Sequence, residues 1–200
     1  MKKRNVFIGA ILSLISIGQP LIIKSGVVLS TTSLMLAFPQ NVNAKSADKY
    51  FDIAYEMGNK GDHKGAIKNF TKVIELEPDN YVAYMNRGWN KSNLGDDYAA
   101  ISDYNKAIKI DPEYSLAYYN RAWSKKAIED LKGSIADYTK AIKYNSKYFQ
   151  AYVNRGNIKY EMGDESAACK DYKKSISLGD TETANWLKED SAKWCREMKF

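Results

Sequence analysis

The sequence predicts an all-α protein, an α-solenoid of four helix-turn-helix repeats closed by a C-terminal capping helix. Three observations favour this fold class. The chain aligns with itself at a period of 34 residues without gaps, and small and aromatic residues recur at fixed places within each period. Short turn-forming pairs also divide each period into two helix-length segments. Periods of this length are typical of solenoids, in which each unit packs only on its neighbours.

An apolar leader precedes the repeats. Residues 1–44 contain no Asp or Glu, begin with basic residues at 2–4 and are largely apolar over 6–38. Residues 42–44, Val-Asn-Ala, offer the small side chains that a signal peptidase requires. We therefore predict that residues 1–44 are a long secretory signal and that the protein is exported to a periplasm or lumen. The alternative is an uncleaved anchor in the inner membrane formed by residues 6–38.

Four gapless units follow within residues 45–182, at 47–80, 81–114, 115–148 and 149–182. A small residue at the eighth place lets the two helices of a unit approach closely, and an aromatic residue at the twenty-fourth place fills the space beside it. The recurring residues are Tyr50, Tyr84, Tyr118 and Tyr152 at the fourth place, Ala54, Gly88, Ala122 and Gly156 at the eighth, Ala66, Ala100, Ser134 and Ala168 at the twentieth, and Phe70, Tyr104, Tyr138 and Tyr172 at the twenty-fourth.

Turn residues mark the ends of the predicted helices. A glycine in the left-handed conformation can end the first helix of a unit, and the aspartate after it can cap the second. Glu129-Asp130 in the third unit keeps the cap and loses the glycine. Proline then stops the second helix of the first two units. The residues concerned are Gly61-Asp62, Gly95-Asp96 and Gly163-Asp164 between helices, and Pro78 and Pro112 at unit ends.

These residues resemble the tetratricopeptide repeat (TPR) family over about 47–182. The best-matching unit is 47–80, which has the family's signature residues Ala54, Ala66, Phe70 and Pro78. In this resemblance residues 183–200 form a capping helix that shields the last hydrophobic face. The resemblance also implies that the first helix of each unit lines a concave groove that binds other proteins.

The resemblance places three asparagines and two tryptophans along this groove. Asn at the sixth place offers a donor and an acceptor, which suits the backbone of an extended peptide; the alternative is that these amides bond neighbouring helices. Trp at the ninth place can anchor a partner's apolar side chains; the alternative is that it shields neighbouring helices. The predicted groove residues are Asn86, Asn120, Asn154, Trp89 and Trp123, flanked by Tyr55, Met85 and Tyr119.

The same places argue against one known binding mode. TPR domains that clamp a C-terminal carboxylate use Lys and Asn on the first unit and Lys and Arg on the third. At those four places this chain has other residues: Phe51, Tyr55, Leu116 and Asn120. Asn86 is the one residue that fits the clamp pattern. We therefore predict a groove for an uncharged extended segment.

Charged residues appear as a set in units two to four and are missing from unit one, where Ile53, Met57 and Asn69 stand instead. This coincidence indicates that Arg and Asp pair across the two helices, since a buried Arg requires a partner. The alternative is a basic stripe for an anionic ligand. The set comprises Arg87, Arg121 and Arg155, Lys91, Lys125 and Lys159, and Asp103, Asp137 and Asp171.

Cys169 lies in the last repeat and Cys195 in the capping segment, and the chain has no other cysteine. In an exported protein an even pair favours a disulfide, which would pin the cap to the array. Two buried free thiols are the alternative, because Cys195 lies farther from the intervening turn than Cys169 does.

Catalytic motifs are missing from the sequence. His63, the sole histidine, is expected in an exposed turn, and no spaced Cys/His set or Gly-rich phosphate loop is present. We predict a non-enzymatic protein–protein interaction module, an adaptor or assembly factor, with a protein or peptide partner, no cofactor and no metal. Membrane contact is expected only through an uncleaved N-terminal segment. The alternative is a membrane-tethered scaffold that self-associates through Trp186 and Trp194.

A nucleic-acid partner is not expected. The formal net charge is +6, but four of the thirty basic residues lie in residues 1–44, which leaves 26 basic against 24 acidic residues in the remainder. Proteins that bind nucleic acids usually have a clustered basic face.

Overall fold

A computed structural model describes residues 40–198 of the chain, with side chains from residue 46 onward. All regular structure in this range is helical. The α-helices are α1 (Gln40–Asn59), α2 (His63–Leu76), α3 (Tyr81–Asn93), α4 (Asp97–Ile110), α5 (Ser115–Ala127), α6 (Leu131–Tyr144), α7 (Phe149–Glu161), α8 (Glu165–Ser177), α9 (Thr181–Trp186) and α10 (Lys193–Glu197), with a short 3-10 helix at Asp190–Ala192.

The eight longer helices pack as four consecutive pairs, one pair for each predicted unit. Each second helix also packs on the first helix of the next unit. In addition, α3 contacts both α1 and α5, so the first helices lie on the inner side of the array. This arrangement confirms the predicted α-solenoid.

Each second helix begins after the predicted aspartate, whose carboxylate accepts a hydrogen bond from the backbone N–H three residues on. The distances are 2.8–3.1 Å. The glycine before the cap has a φ of +82° to +85° in three units, and Glu129 takes this conformation at +64° in the other. A residue with a side chain pays roughly 1–2 kcal/mol for this backbone conformation. The caps are Asp62, Asp96, Asp130 and Asp164.

Close packing inside each unit explains the small residue at the eighth place. A Cβ atom added to Gly88 would lie 2.8 Å from a ring carbon of Tyr104 and 3.1 Å from the carbonyl oxygen of Ala100. Gly156 faces Tyr172 at the same distance. Because these two glycines have no Cβ, the aromatic ring lies directly on the first helix, and buried Ala54 and Ala122 occupy the same place in the other units. The predicted packing of the two places is confirmed.

Arg121 and Asp137 show how the predicted charge set is used. The Arg121 guanidinium donates two hydrogen bonds to the Asp137 carboxylate, at 2.8 and 2.6 Å, and Lys125 adds a third contact at 2.8 Å. The aspartate side chain is only 5% exposed. Equivalent pairs in the neighbouring units are Arg87 with Asp103 and Arg155 with Asp171. The prediction that Arg and Asp pair across the helices is confirmed.

A further contact of each arginine joins successive units. The remaining Nη1 of Arg121 donates to Asn105 of the preceding unit at 2.6 Å. Thr71 and Thr139 accept the corresponding bonds from Arg87 and Arg155, at 3.2 and 2.9 Å. Each of these three Arg–Asp pairs therefore joins three helices: both helices of its own unit and the second helix of the unit before.

The capping segment consists of two short helices, α9 and α10, instead of the single helix predicted. The chain turns after Trp186, and Arg196 donates to the backbone carbonyls of residues 187–189, two of which lie at the end of the broken helix. This turn places Cys195 against Cys169 in α8, with a Cα–Cα separation of 5.3 Å, and the two are joined by a disulfide.

Residues 1–39 of the predicted leader lie outside the described residues. The first helix begins at Gln40, so residues 42–44, at the predicted cleavage site, fall within α1. Among residues 40–198, none of the helices combines the length and the apolar character that crossing a membrane requires.

Candidate functional site

A row of four cavities follows the concave face formed by the first helices, and each cavity shares lining residues with the next. We call this row the groove. Its two ends are the N-terminal cavity, of about 510 Å³ between α1, α3 and α5, and the C-terminal cavity, of about 450 Å³ between α5, α7 and α9. Two smaller cavities, of about 310 and 330 Å³, connect them.

All eight residues predicted for the groove line one or more of these cavities. Trp123 borders three of them and is 55% exposed, whereas Trp89 borders two and is 37% exposed. Tyr55 is 54% exposed at the edge of the N-terminal cavity. Large apolar rings with this exposure are available to a ligand, in contrast to the buried rings at the twenty-fourth place.

Met85 and Tyr119 form the floor of the groove more than its accessible surface. Met85 is buried and packs in the core of its unit. The ring of Tyr119 stacks on Tyr148, with 4.6 Å between centroids, and meets the edge of Tyr138. The fifth place of each unit therefore serves the packing of the array first.

Each of the three groove asparagines uses an N–H for a bond within the protein. Asn86 donates to the carbonyl of Val82 at 2.9 Å, whereas Asn120 and Asn154 donate across to the preceding unit. Their acceptors are the Met85 sulfur at 3.3 Å and the Tyr119 hydroxyl at 2.8 Å. An amide has two N–H groups and a carbonyl oxygen, so these bonds leave hydrogen-bonding capacity for a ligand.

His63 has a structural role that differs from the expected exposed position. It is the first residue of α2 and is half-buried. Its Nδ1 lies 2.9 Å from the Oδ1 of the buried Asn90, and its ring meets Trp89 edge-on at 5.6 Å. The sequence did not indicate this contact because Asn90 lies 27 residues away, in the next unit. His63 thus helps to hold Trp89 at the groove.

The hydroxyl of Tyr138 is buried beneath the groove and, among the described residues, has no hydrogen-bond partner. Burial raises the pKa of this phenol, an effect that the nearby Asn154 amide offsets only in part. The corresponding tyrosine of the second unit, Tyr104, also has a pKa raised by burial, and a hydrogen bond with Ser124 partly offsets that rise. Ser124 is at the tenth place of the third unit. Ile158 occupies the tenth place of the fourth unit. The apolar Ile158 has no group that could serve Tyr138 in this way.

Tyr138→Phe is expected to leave the free energy of unfolding unchanged or to raise it by about 1 kcal/mol, because it removes a buried polar group that lacks a partner. Tyr172→Phe is the matched control, since the Tyr172 hydroxyl donates to Asn157 at 2.9 Å. The control should lose about 0.5–1.5 kcal/mol. Urea unfolding of both variants measures the difference; an equal loss in the two would show that the Tyr138 hydroxyl has a partner.

The groove also contains residues beyond the eight that the sequence predicts. Asn157 stands at the ninth place of its unit, like Trp89 and Trp123, so the repeat register could have identified it. The cap residues have no such register, because they follow the last unit. The additional lining residues include Val82, Asn90, Leu116, Phe149, Asn157, Asp180, Glu182 and Trp186.

The two tryptophans proposed for self-association are packed within the cap. Trp194 stacks on Tyr160 at 5.1 Å, and Trp186 meets Tyr172 edge-on at the same distance. Both tryptophans are partly buried. Self-association through these two tryptophans stays a prediction, and their packing in the cap gives them a second, structural role.

Comparisons with known proteins agree with this architecture. A family model described as "Tetratricopeptide repeat" matches residues 47–80, 81–114 and 149–178, and one described as "TPR repeat" matches 126–163. Together they take in more than half of the chain. An uncharacterized protein of Methanocaldococcus jannaschii, MJ0572, is 42% identical over 45 residues, which cover 22% of this chain and 52% of that protein. The match thus spans about half the length of this relative.

Solved structures of similar fold include a crystal structure of MamA, with a TM-score of 0.64 and 26% identity over 72% of this chain and 83% of that one. The first TPR domain of Spaghetti (RPAP3), bound to the HSP90 peptide SRMEEVD, gives a TM-score of 0.58 and 24% identity over 60% and 94%. The TPR domain of Arabidopsis OM64 gives 0.58 and 21% over 60% and 98%. With its four paired-helix units and these matches, the chain belongs to the tetratricopeptide repeat family.

Proposed function

We propose that this protein is a non-enzymatic interaction module, an adaptor or assembly factor that binds an extended segment of another protein in its groove. The observation that carries the proposal is the row of connected cavities along the first helices, with the exposed rings of Trp89 and Trp123 between them. A continuous row suits an extended chain, which presents side chains at regular intervals.

The chemistry of the lining supports a peptide ligand. Aromatic anchors supply the apolar contact that dominates binding energy in most interfaces. Between them Asn86, Asn120 and Asn154 can bond to backbone amides and carbonyls, whatever the side chains of the partner are. The first TPR domain of RPAP3 has the same fold and is bound to an HSP90 peptide, which supports a peptide ligand for this array. We expect modest affinity, with a Kd of about 1 μM, or roughly −8 kcal/mol.

Replacing Asn86 and Asn120 together by alanine is expected to weaken peptide binding roughly 10- to 30-fold, because two hydrogen bonds are lost. The assay presents a pooled library of random 12-residue peptides with blocked ends to the immobilised protein and measures the affinity of the enriched peptides by fluorescence. Far-UV circular dichroism checks that the helices remain.

The matched control is Asn145→Ala with Asn185→Ala, which changes two exposed asparagines outside the groove cavities. The control should bind like the unchanged protein. If the groove variant keeps its affinity, or if the control loses as much, the asparagines do not form the binding site.

We also propose that the protein is exported and works in a periplasm or lumen. The leader at 1–44 and the disulfide between Cys169 and Cys195 support this location, because disulfides persist in oxidising compartments. Determining the N-terminus of the protein from its native cells is the test. A start near Lys45 agrees with export, whereas an intact Met1 indicates the anchor formed by residues 6–38.

A further inference from the structure

The C-terminal cavity differs in charge from the rest of the groove. Its walls carry the rings of Trp123, Tyr172 and Trp186, and two carboxylates, Asp180 and Glu182, lie among them. Lys, Arg and His are absent from the described residues that line it. The N-terminal cavity is instead lined entirely by uncharged residues. The two ends of the groove therefore offer different chemistry to the same ligand.

The carboxylate of Asp180 stays ionised in this wall. Burial alone would raise its pKa, but hydrogen bonds from Thr183 and Ser175 outweigh burial and lower the pKa below its usual value. Ser175 donates at 3.0 Å and the backbone N–H of Thr183 at 3.1 Å. Glu182, two residues on, is exposed. The cavity thus combines one fixed, nearly buried negative charge with one accessible negative charge.

Burial also keeps the neighbouring phenol neutral. It raises the pKa of Tyr172 to about 12, and the hydroxyl donates to Asn157. The ring faces of Trp123 and Trp186 carry the partial negative charge of their π-electrons, which attracts a cation placed over them. The carboxylates and the aromatic rings of the wall therefore both favour a positively charged ligand group.

We propose that the C-terminal cavity binds a cationic side chain, Lys or Arg, of the partner segment. This inference rests on the proposed peptide-binding function and adds the orientation of the bound segment along the groove. The long stem of Lys or Arg can pack on the aromatic rings while its charged group approaches Glu182 and Asp180. The uncharged N-terminal cavity, lined by Phe51, Tyr55 and Trp89 among others, takes an apolar side chain of the same segment.

The repeat geometry sets the spacing of the two anchors. The cavities are centred about two units apart, and neighbouring packed helices are about 10 Å apart, so the anchors lie roughly 20 Å apart. An extended chain advances about 3.3 Å per residue. The partner segment is therefore expected to carry an apolar residue and a basic residue about six positions apart. The apolar residue lies in the N-terminal cavity and the basic residue in the C-terminal cavity.

The peptides enriched from the random 12-residue library test this inference. They are expected to share Lys or Arg about six residues from a large apolar residue. Replacing that basic residue by Gln in the best-enriched peptide should weaken binding roughly tenfold. The affinity of the original peptide should fall as NaCl is raised, since salt screens exposed charges, and that of its Gln counterpart should change little.

Glu182→Gln is the corresponding change in the protein, and Glu165→Gln, exposed on α8 outside the groove cavities, is its control. Glu182→Gln should weaken the basic peptide about three- to fivefold and leave the Gln peptide unchanged; the control should change neither. Peptides enriched without a basic residue, or an unchanged preference in Glu182→Gln, would overturn the inference and leave the proposed function standing. A library without any enriched peptide would contradict both.

Discussion

Asp137→Ala is expected to lower the free energy of unfolding by about 3–5 kcal/mol, because it leaves two cations without a partner in a poorly hydrated place. The guanidinium of Arg121 and the ammonium of Lys125 both contact this carboxylate, and their side chains are only 16% and 21% exposed. Removing Asp137 also frees Arg121 from the geometry in which it bonds to Asn105 of the preceding unit. Urea unfolding followed by circular dichroism measures the loss.

Two further variants separate the ion pair from other effects. Glu56→Gln breaks the exposed pair with Lys60, whose side chain is 71% exposed, and should leave the unfolding midpoint unchanged. The triple variant Arg121→Met, Lys125→Met and Asp137→Leu removes all three charges and should recover most of the lost stability, since well-packed apolar residues often replace a buried ion-pair network. If Asp137→Ala unfolds at the same urea concentration as Glu56→Gln, the ion pair does not stabilise the array.

Loss of the disulfide is expected to be the second large effect. Cys169→Ser with Cys195→Ser should lower the free energy of unfolding by roughly 3–4 kcal/mol in the chain-entropy model, because the bond closes a loop with a sequence separation of 26 residues. Both cysteines are fully buried, so the new hydroxyl groups add a cost of their own.

Cys169→Ala with Cys195→Ala avoids that added cost and isolates the effect of the bond. Hydrogen exchange should then speed up in α9 and α10 and stay unchanged in α1–α4, because each unit of a solenoid depends mainly on its neighbours. Thermal unfolding of the unchanged protein with and without a reducing agent gives the same comparison without mutation. A Tm that is independent of reducing agent and of both replacements would show that the bond does not hold the cap.

The sequence was sufficient to predict what recurs with the period of 34 residues. Helix ends, the small residue against the aromatic ring, and the pairing of Arg with Asp all follow from places compared between units. The candidate groove was located from the resemblance to the TPR family, which assigns the sixth and ninth places of the first helices to the concave face. Its use by a ligand remains a prediction.

Features that occur only once could not be derived in this way. His63 and Asn90 contact each other from two neighbouring units, at places where the other units have other residues. The hydroxyl of Tyr138 has no hydrogen-bond partner among the described residues, and Ile158 of the same core cluster is apolar where the other units have a polar residue. The turn after Trp186, which brings the cap against α8, lies beyond the last repeat. In each case a contact between non-equivalent residues decides the structure, and periodicity carries no information about it.

Photo-crosslinking of a bound peptide tests the central claim, that the groove is the binding surface, most directly. Benzoylphenylalanine is introduced either at Trp123 in the groove or at Lys140, which is exposed on the outer helix α6. The best-enriched library peptide is then irradiated with each protein, and the adducts are located by mass spectrometry. The groove position is expected to give a peptide adduct and the outer position none. Adducts at residue 140 but not at 123 would contradict the claim.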